Sequence, residues 1–205
     1  IVLVAYMLIA GMTQVLWITF APITGAAAEY YGVSDLTIGI LSMVFMIVYV
    51  VVVLPSAWII DTWGFRRAVG IGAAITAICA LTRGIFASNF TAVLLSQTGI
   101  AIGQPLVIGS TTKLAARWFA VDERATAAGF GSLAQYLGIL AGMIVTPALA
   151  IGSGMRGMLL IYAAATIFAT VIFVAVARER PPTPPEPSGG EQRSRMFEGL
   201  KSMLR

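Results

Sequence analysis

Residues 36–67 read LTIGILSMVFMIVYVVVVLPSAWIIDTWGFRR. From Leu36 to Ile60 this stretch carries no charge. Wound as a helix at about 1.5 Å per residue, such a run crosses the roughly 30 Å hydrocarbon core of a bilayer. It does not alternate in polarity, as a barrel strand would. It stops abruptly at Asp61, turns at Gly64, and continues with two arginines. An uncharged helix ending in an acid, a glycine turn and a basic pair reads as a membrane span meeting the cytoplasmic surface.

On both sides of this stretch the same pattern repeats. Six apolar runs are long enough to span, at about 1–28, 36–60, 67–87, 91–114, 125–150 and 156–177. Of the 205 residues, 59% are hydrophobic and 11% charged, which leaves too little charge to solvate a soluble surface. Lipid admits only helices or closed barrels, so the expected fold is an all-α membrane bundle of six transmembrane helices. The first run is too long for a signal peptide, and the chain opens mid-helix without an initiator Met, so residues are expected to precede it.

Orientation follows from the basic residues. Arg66 and Arg67, then Lys113, Arg117 and Arg124, then Arg178 and Arg180 fall in alternate breaks. The other side offers Arg156, plus Arg83 near the end of the third run, where it is expected to snorkel to the interface. Both termini are therefore expected in the cytoplasm. The net charge of +4 is topogenic and is not a nucleic-acid footprint.

After residue 177 the composition changes. Residues 178–191 form a proline-rich cytoplasmic linker. Residues 192–205 place Met196, Phe197, Leu200, Met203 and Leu204 at helical spacing among Arg193, Arg195, Lys201 and Arg205. They read as a basic amphipathic helix on the membrane surface, or as a tail ordered only by contacts.

Inside the spans the polar residues cluster. The first run carries Thr13, Gln14 and Trp17; the fourth carries Gln97 and Gln104; the fifth carries Gln135 and Tyr136. These three runs and the second also contain Pro22, Pro55, Pro105 and Pro147, whereas the third and sixth contain none. Prolines free backbone carbonyls, which is tolerated beside a cavity. The first, second, fourth and fifth spans are thus expected to line a path and the third and sixth to support them. Gly99 and Gly103, and Ala134, Gly138 and Gly142, form small-residue stripes for close helix contact.

What is missing is equally informative. There is no His, the lone Cys79 has no disulfide partner, and no Asp or Glu lies mid-span. Proton relays and hydrolytic sites use such groups. No enzyme, metal or cofactor is expected. A cavity with aromatic rings and amides but no acid suits a quaternary ammonium held by cation–π attraction, or a neutral solute.

The segment Asp61-Thr62-Trp63-Gly64-Phe65-Arg66-Arg67 resembles the loop signature of the major facilitator transporters, with Thr62 where that signature has a basic residue and Ala57 where it has Gly. The chain is similar, more narrowly, to the feline leukaemia virus subgroup C receptor-related transporters. The residues that carry this are Leu41–Met46, Pro55–Arg66, Gly103–Gly109, Lys113–Phe119 and Glu179–Pro185. The resemblance implies the N-terminal six-helix half of a major facilitator fold and a secondary transporter working by alternating access. Its solute would be a choline- or ethanolamine-like cation first, and a haem-like or organic anion second. A non-transporting receptor or scaffold with the same fold is the rival reading.

Choline recognition in that family relies on a Trp in the first span and a Gln in the fifth. Trp17 matches the first position, while Tyr136 stands at the second with Gln135 beside it. The expected solute set is Thr13, Gln14, Trp17, Gln104, Gln135 and Tyr136. The expected gate is Asp61, Gly64, Arg66 and Arg67, with Arg117 and Arg124 on the neighbouring loop. Six spans enclose half a path, so the expected partners are lipid, a small solute, and a second six-helix half. That half is either the same polypeptide beyond Arg205 or a second copy.

Overall fold

Each apolar run folds as α-helix in the computed structural model, which describes residues 1–181. The expected surface helix at 192–205 and most of the proline-rich linker lie outside the described residues. In order, the helices are α1 (Val2–Ile18), α2 (Thr24–Tyr31), α3 (Asp35–Trp63), α4 (Phe65–Ile85), α5 (Phe90–Ile108), α6 (Thr111–Trp118) and α7 (Arg124–Val176).

The first run is not one straight helix. Pro22 cannot donate to the helical ladder, and a short 3-10 turn at Ala21–Ile23 separates α1 from α2. The chain then turns at Gly32 and restarts at Ser34, whose side chain caps α3 by accepting from the Thr37 amide. Gly64, at φ 85° and ψ 165°, makes the break between α3 and α4 without any intervening loop. Asn89 caps α5 through the Ala92 amide. The fourth run breaks after Gly109 into α5 and α6, one turn beyond Pro105.

Five helical stretches are long and apolar enough to cross a membrane, and the last, Val121–Val176, has 56 residues. At about 1.5 Å per residue that is nearly three bilayer thicknesses, so it cannot be one straight span. Gly154 resolves the conflict. Its φ of 68° and ψ of 173° are not helical, and the chain reverses there. The reversal is visible in a 2.7 Å hydrogen bond between Thr146 and Tyr162, residues that a continuous helix would hold about 24 Å apart. α7 is therefore a hairpin with arms 124–153 and 155–176.

Close helix contacts form at the small-residue stripes. A Cβ on Gly138 would lie 2.3 Å from the Gly11 carbonyl oxygen, and one on Gly142 would lie 2.5 Å from the Ile18 side chain. On α5, a Cβ on Gly103 would meet the Gly72 carbonyl oxygen at 2.6 Å. Lipid gives helices no hydrophobic incentive to associate, so such backbone-to-backbone fits supply the cohesion. The supports pack on each other as well: Thr170 of the return arm donates to Ala73 of α4, and Gly84 lies against Leu160.

α3 is the most outward-facing helix, exposing Met43, Met46, Ile47, Val50, Val51, Leu54 and Trp58. Such a face is at home in hydrocarbon or against another apolar bundle.

Candidate functional site

The polar residues of the spans fall into two tiers, and the helix register sets both. Tyr6 of α1 donates to the Val107 carbonyl oxygen at 3.0 Å, while Leu16 and Gln97 share the side chain of Arg83. α1 and α5 thus run antiparallel, with residue 6 opposite 107 and 16 opposite 97. That register puts Gln104 level with Ile9, about 7 Å along the axis from Gln14. The first arm of α7 runs parallel to α1, with Gly138 against Gly11 and Gly142 against Val15. Gln135 and Tyr136 are therefore level with residues 8 and 9. One tier holds Thr13, Gln14 and Trp17; the other, nearer the basic end of the bundle, holds Gln104, Gln135 and Tyr136.

Within the tiers the side chains differ in what remains available. Thr13 is fully buried and donates to Ala10 of its own helix at 2.7 Å, so it is a packing residue. Gln135 donates weakly to Gly131 of its own helix at 3.4 Å. Gln14 and Gln104 are buried, and their amides enter no side-chain hydrogen bond among the described residues. The indole Nε1 of Trp17 is buried with no acceptor among the described residues. Leaving such a donor dry costs about 1–3 kcal/mol. Tyr136 is 69% exposed, beside the outward Leu133, Leu137 and Leu140, and is not brought against Trp17.

Arg83 corrects the sequence reading. It does not snorkel; it is fully buried. Its Nη1 donates to the Leu16 carbonyl oxygen at 3.2 Å and to Gln97 Oε1 at 2.5 Å. Its Nη2 lies 3.5 Å from Thr19 Oγ1, and the guanidinium stacks 5.6 Å over the Phe20 ring. Gln97 is accordingly committed to Arg83, and its own amide donates to the Leu41 carbonyl oxygen at 3.3 Å.

The second cluster sits at the basic end, and glycine geometry builds it. Gly64 starts α4 in a conformation that L side chains rarely adopt, and that leaves the first amides of α4 open. Glu179, just past α7, fills the place: its Oε2 accepts from the Arg66 backbone N–H at 2.9 Å and its Oε1 pairs with Arg117. A Cβ on Gly64 would stand 2.2 Å from Glu179 Oε1, so the clasp needs glycine there. Trp118 Nε1 donates to the Arg178 carbonyl oxygen at 3.2 Å and holds the same segment. Beside the clasp, Lys113 Nζ bridges Asp61 Oδ1 at 2.8 Å and the Ile60 carbonyl oxygen at 2.7 Å.

Of the expected gate residues, Asp61, Gly64 and Arg117 thus meet partners. Arg66 contributes its backbone, and its side chain and that of Arg67 are exposed. Arg124 donates to the Phe119 carbonyl oxygen at 3.3 Å. Lys113 and Glu179 join this cluster and were not among the expected gate residues. The signal for Glu179 was its place between Arg178 and Arg180, directly after the last apolar run.

Two cavities flank these clusters. One of about 430 Å³ opens at the opposite end, between Pro22–Ala26 and Pro147–Ile151. One of about 130 Å³ lies against Asp61 and Lys113 beneath Pro105. Neither is lined by the turn that carries Gln14 and Trp17.

Residues 2–205 match the family model described as the Major Facilitator Superfamily. Solute carrier family 49 member A3 of Danio rerio is 34% identical over 200 residues, covering 92% of this chain and 42% of the relative. The choline/ethanolamine transporter flvcr2b of Danio rerio is 32% identical over 181 residues, covering 82% and 37%. Among solved structures, a bacterial homologue of the human lysosomal transporter Spinster, inward-facing and unoccupied, superimposes with a TM-score of 0.83 at 20% identity. It covers 99% of this chain and 48% of that one. The chain spans less than half the length of each of these proteins.

Proposed function

The chain belongs to the major facilitator superfamily, as an integral membrane protein of several spans, and from that premise we propose that it forms one wall of a solute path. In this reading the two arms of α7 are the fifth and sixth of six spans. The basic end faces the cytoplasm, as the arginine and lysine positions favour. A second six-helix half, on the same polypeptide or in a second copy, closes the path. The two halves rock about a site near the bilayer midplane, exposing it alternately to either side.

The solute is a small organic cation of the choline or ethanolamine type. The observation that carries this is the buried Trp17 N–H, without an acceptor among the described residues, on the same turn as Gln14, with Gln104 one tier below. Trp17 offers a π face worth about 1–2 kcal/mol to a desolvated quaternary ammonium. The amides and the indole N–H can hydrogen-bond a hydroxyl. The relatives named choline/ethanolamine transporters, at about 30% identity, support the same class of solute. Tyr136, on the outward face of α7, would meet the solute only where the second half brings the path to it.

Binding of radiolabelled choline to the natural full-length protein in detergent tests this. Choline should bind saturably, compete with ethanolamine, and lose affinity at least tenfold in Trp17→Ala. Unchanged affinity in a folded Trp17→Ala protein refutes the site. Absence of saturable choline binding, with saturable binding of a labelled organic anion in its place, moves the protein to another solute class.

A further inference from the structure

Arg83 is the most deeply committed charge in the bundle, and neither the solute tiers nor the gate cluster uses it. Its guanidinium is fully buried by the described helices alone, so no residue of a second half reaches it without disrupting this one. The ion pairs among the described residues, Lys113 with Asp61 and Arg117 with Glu179, lie at the basic end. Glu29 and Asp35, the acids at the other end, are exposed and form no ion pair with it. A buried cation without a carboxylate partner is expensive, and an apolar side chain of similar length would pack there at lower cost. Its acceptors indicate what the charge does.

Those acceptors are the Leu16 carbonyl oxygen and Thr19 Oγ1, at the last turn of α1, and Gln97 Oε1. α1 ends at Ile18 because Pro22 breaks the ladder beyond it. A helix end exposes unsatisfied carbonyls and the negative end of the helix dipole, and a guanidinium placed there satisfies both. Phe20, in the break itself, lies under the guanidinium face. Gln97 then hands the fixation on to the Leu41 carbonyl oxygen of α3. One arginine and one glutamine therefore tie α1, α3, α4 and α5 together at the broken end of the first span.

Trp17 follows Leu16 directly. We propose that Arg83 is a positioning residue of the solute site: it caps the severed end of α1 and so fixes the turn that presents Trp17, with Gln97 holding Arg83 in place. This rests on the reading of Trp17 as a solute contact. It adds a specificity determinant that touches no solute. The forked guanidinium matters, because it reaches Leu16 and Gln97 through one nitrogen and Thr19 through the other, a fixed spread of donors that an ammonium lacks.

The test reads the position of residue 17 directly, so that it stands apart from transport. Trp17→Cys is placed in a background of the natural full-length protein in which Cys79 and any cysteine outside residues 1–205 are replaced by Ser, in detergent. Its rate of modification by methyl methanethiosulfonate, a small uncharged thiol reagent, is measured with Arg83, Arg83→Met, Gln97→Leu or Gln97→Glu present. Arg83→Met and Gln97→Leu should each change the rate at least fivefold in the folded, monodisperse fraction. Gln97→Glu keeps an acceptor for Arg83 and should stay within about twofold of the parent.

With Trp17 intact, Arg83→Met should raise the choline KM more than it lowers kcat, and the change should shrink in a Trp17→Phe background. Unaltered modification rates in folded Arg83→Met protein overturn the proposal and leave Arg83 a structural staple. If Arg83→Met does not fold, the Gln97→Leu rate decides by the same criterion. Changed modification rates in a protein that binds no choline keep the positioning role and remove the solute reading alone.

Discussion

Replacing Glu179 by Gln should open the clasp at the basic end by a calculable factor. The substitution keeps the shape and removes the charge. Two contributions go with it. The pair with Arg117, whose side chains are 24% and 33% exposed, is worth about 0.2–1 kcal/mol in such surroundings. A carboxylate at the first turn of α4 adds about 0.3–1 kcal/mol. Their sum, roughly 0.5–2 kcal/mol, corresponds to a two- to thirtyfold rise in the open population at 1.4 kcal/mol per tenfold.

The Arg66 amide reports this directly. As the second residue of α4 it has no acceptor within its own helix, and Glu179 is what protects it. Hydrogen exchange resolved at Arg66 should therefore accelerate two- to thirtyfold in Glu179→Gln, with the amides of the α4 interior unchanged. Arg117→Gln should move Arg66 in the same direction by less, since it removes the pair and leaves the carboxylate. Arg66 exchange that is the same in wild type and Glu179→Gln refutes the clasp.

Other expectations follow from single glycines and can be read by thermal denaturation. Gly64→Ala forces a side chain into φ 85° against Glu179, so it should cost about 1–3 kcal/mol and expose the Arg66 amide as Glu179→Gln does. Gly138→Leu drives a branched chain into the Gly11 backbone and should lower the melting temperature markedly, with a direct cost of at least 1–3 kcal/mol. Gly154→Ala meets no atom within 4 Å, so only its backbone at φ 68° and ψ 173° matters; a loss of about 1–3 kcal/mol, with solute affinity unchanged, is expected.

Composition and apolar run length were enough to read the helices, because in lipid the backbone has no alternative to satisfying itself. The gap between the runs 125–150 and 156–177 contains the reversal at Gly154, and the gap between 36–60 and 67–87 contains the Gly64 turn. Small-residue stripes also announced their contacts, since an absent side chain on one helix is legible without its neighbour.

What was not legible depends on which helix lies opposite. Arg83 reads in sequence as a charge near a span end that needs water. Its acceptors come instead from Leu16, far earlier in the chain, and from Gln97 on the next helix. Glu179 reads as part of a linker, because nothing local tells that Gly64 has left room for its carboxylate more than a hundred residues away. Tyr136 enters the expected solute set because it stands at the resembled family's fifth-span Gln position; helical register puts it on an exposed face, beside Leu133, Leu137 and Leu140.

Counterflow reads whether this wall carries a moving solute. The natural full-length protein is reconstituted in proteoliposomes preloaded with unlabelled choline, and uptake of external labelled choline is followed with no ion gradient imposed. A transient overshoot is expected that saturates with choline concentration, needs at least tenfold more choline in Trp17→Ala, and changes in rate in Glu179→Gln. Saturable choline binding without any counterflow would contradict this and make the protein a receptor on a transporter's fold.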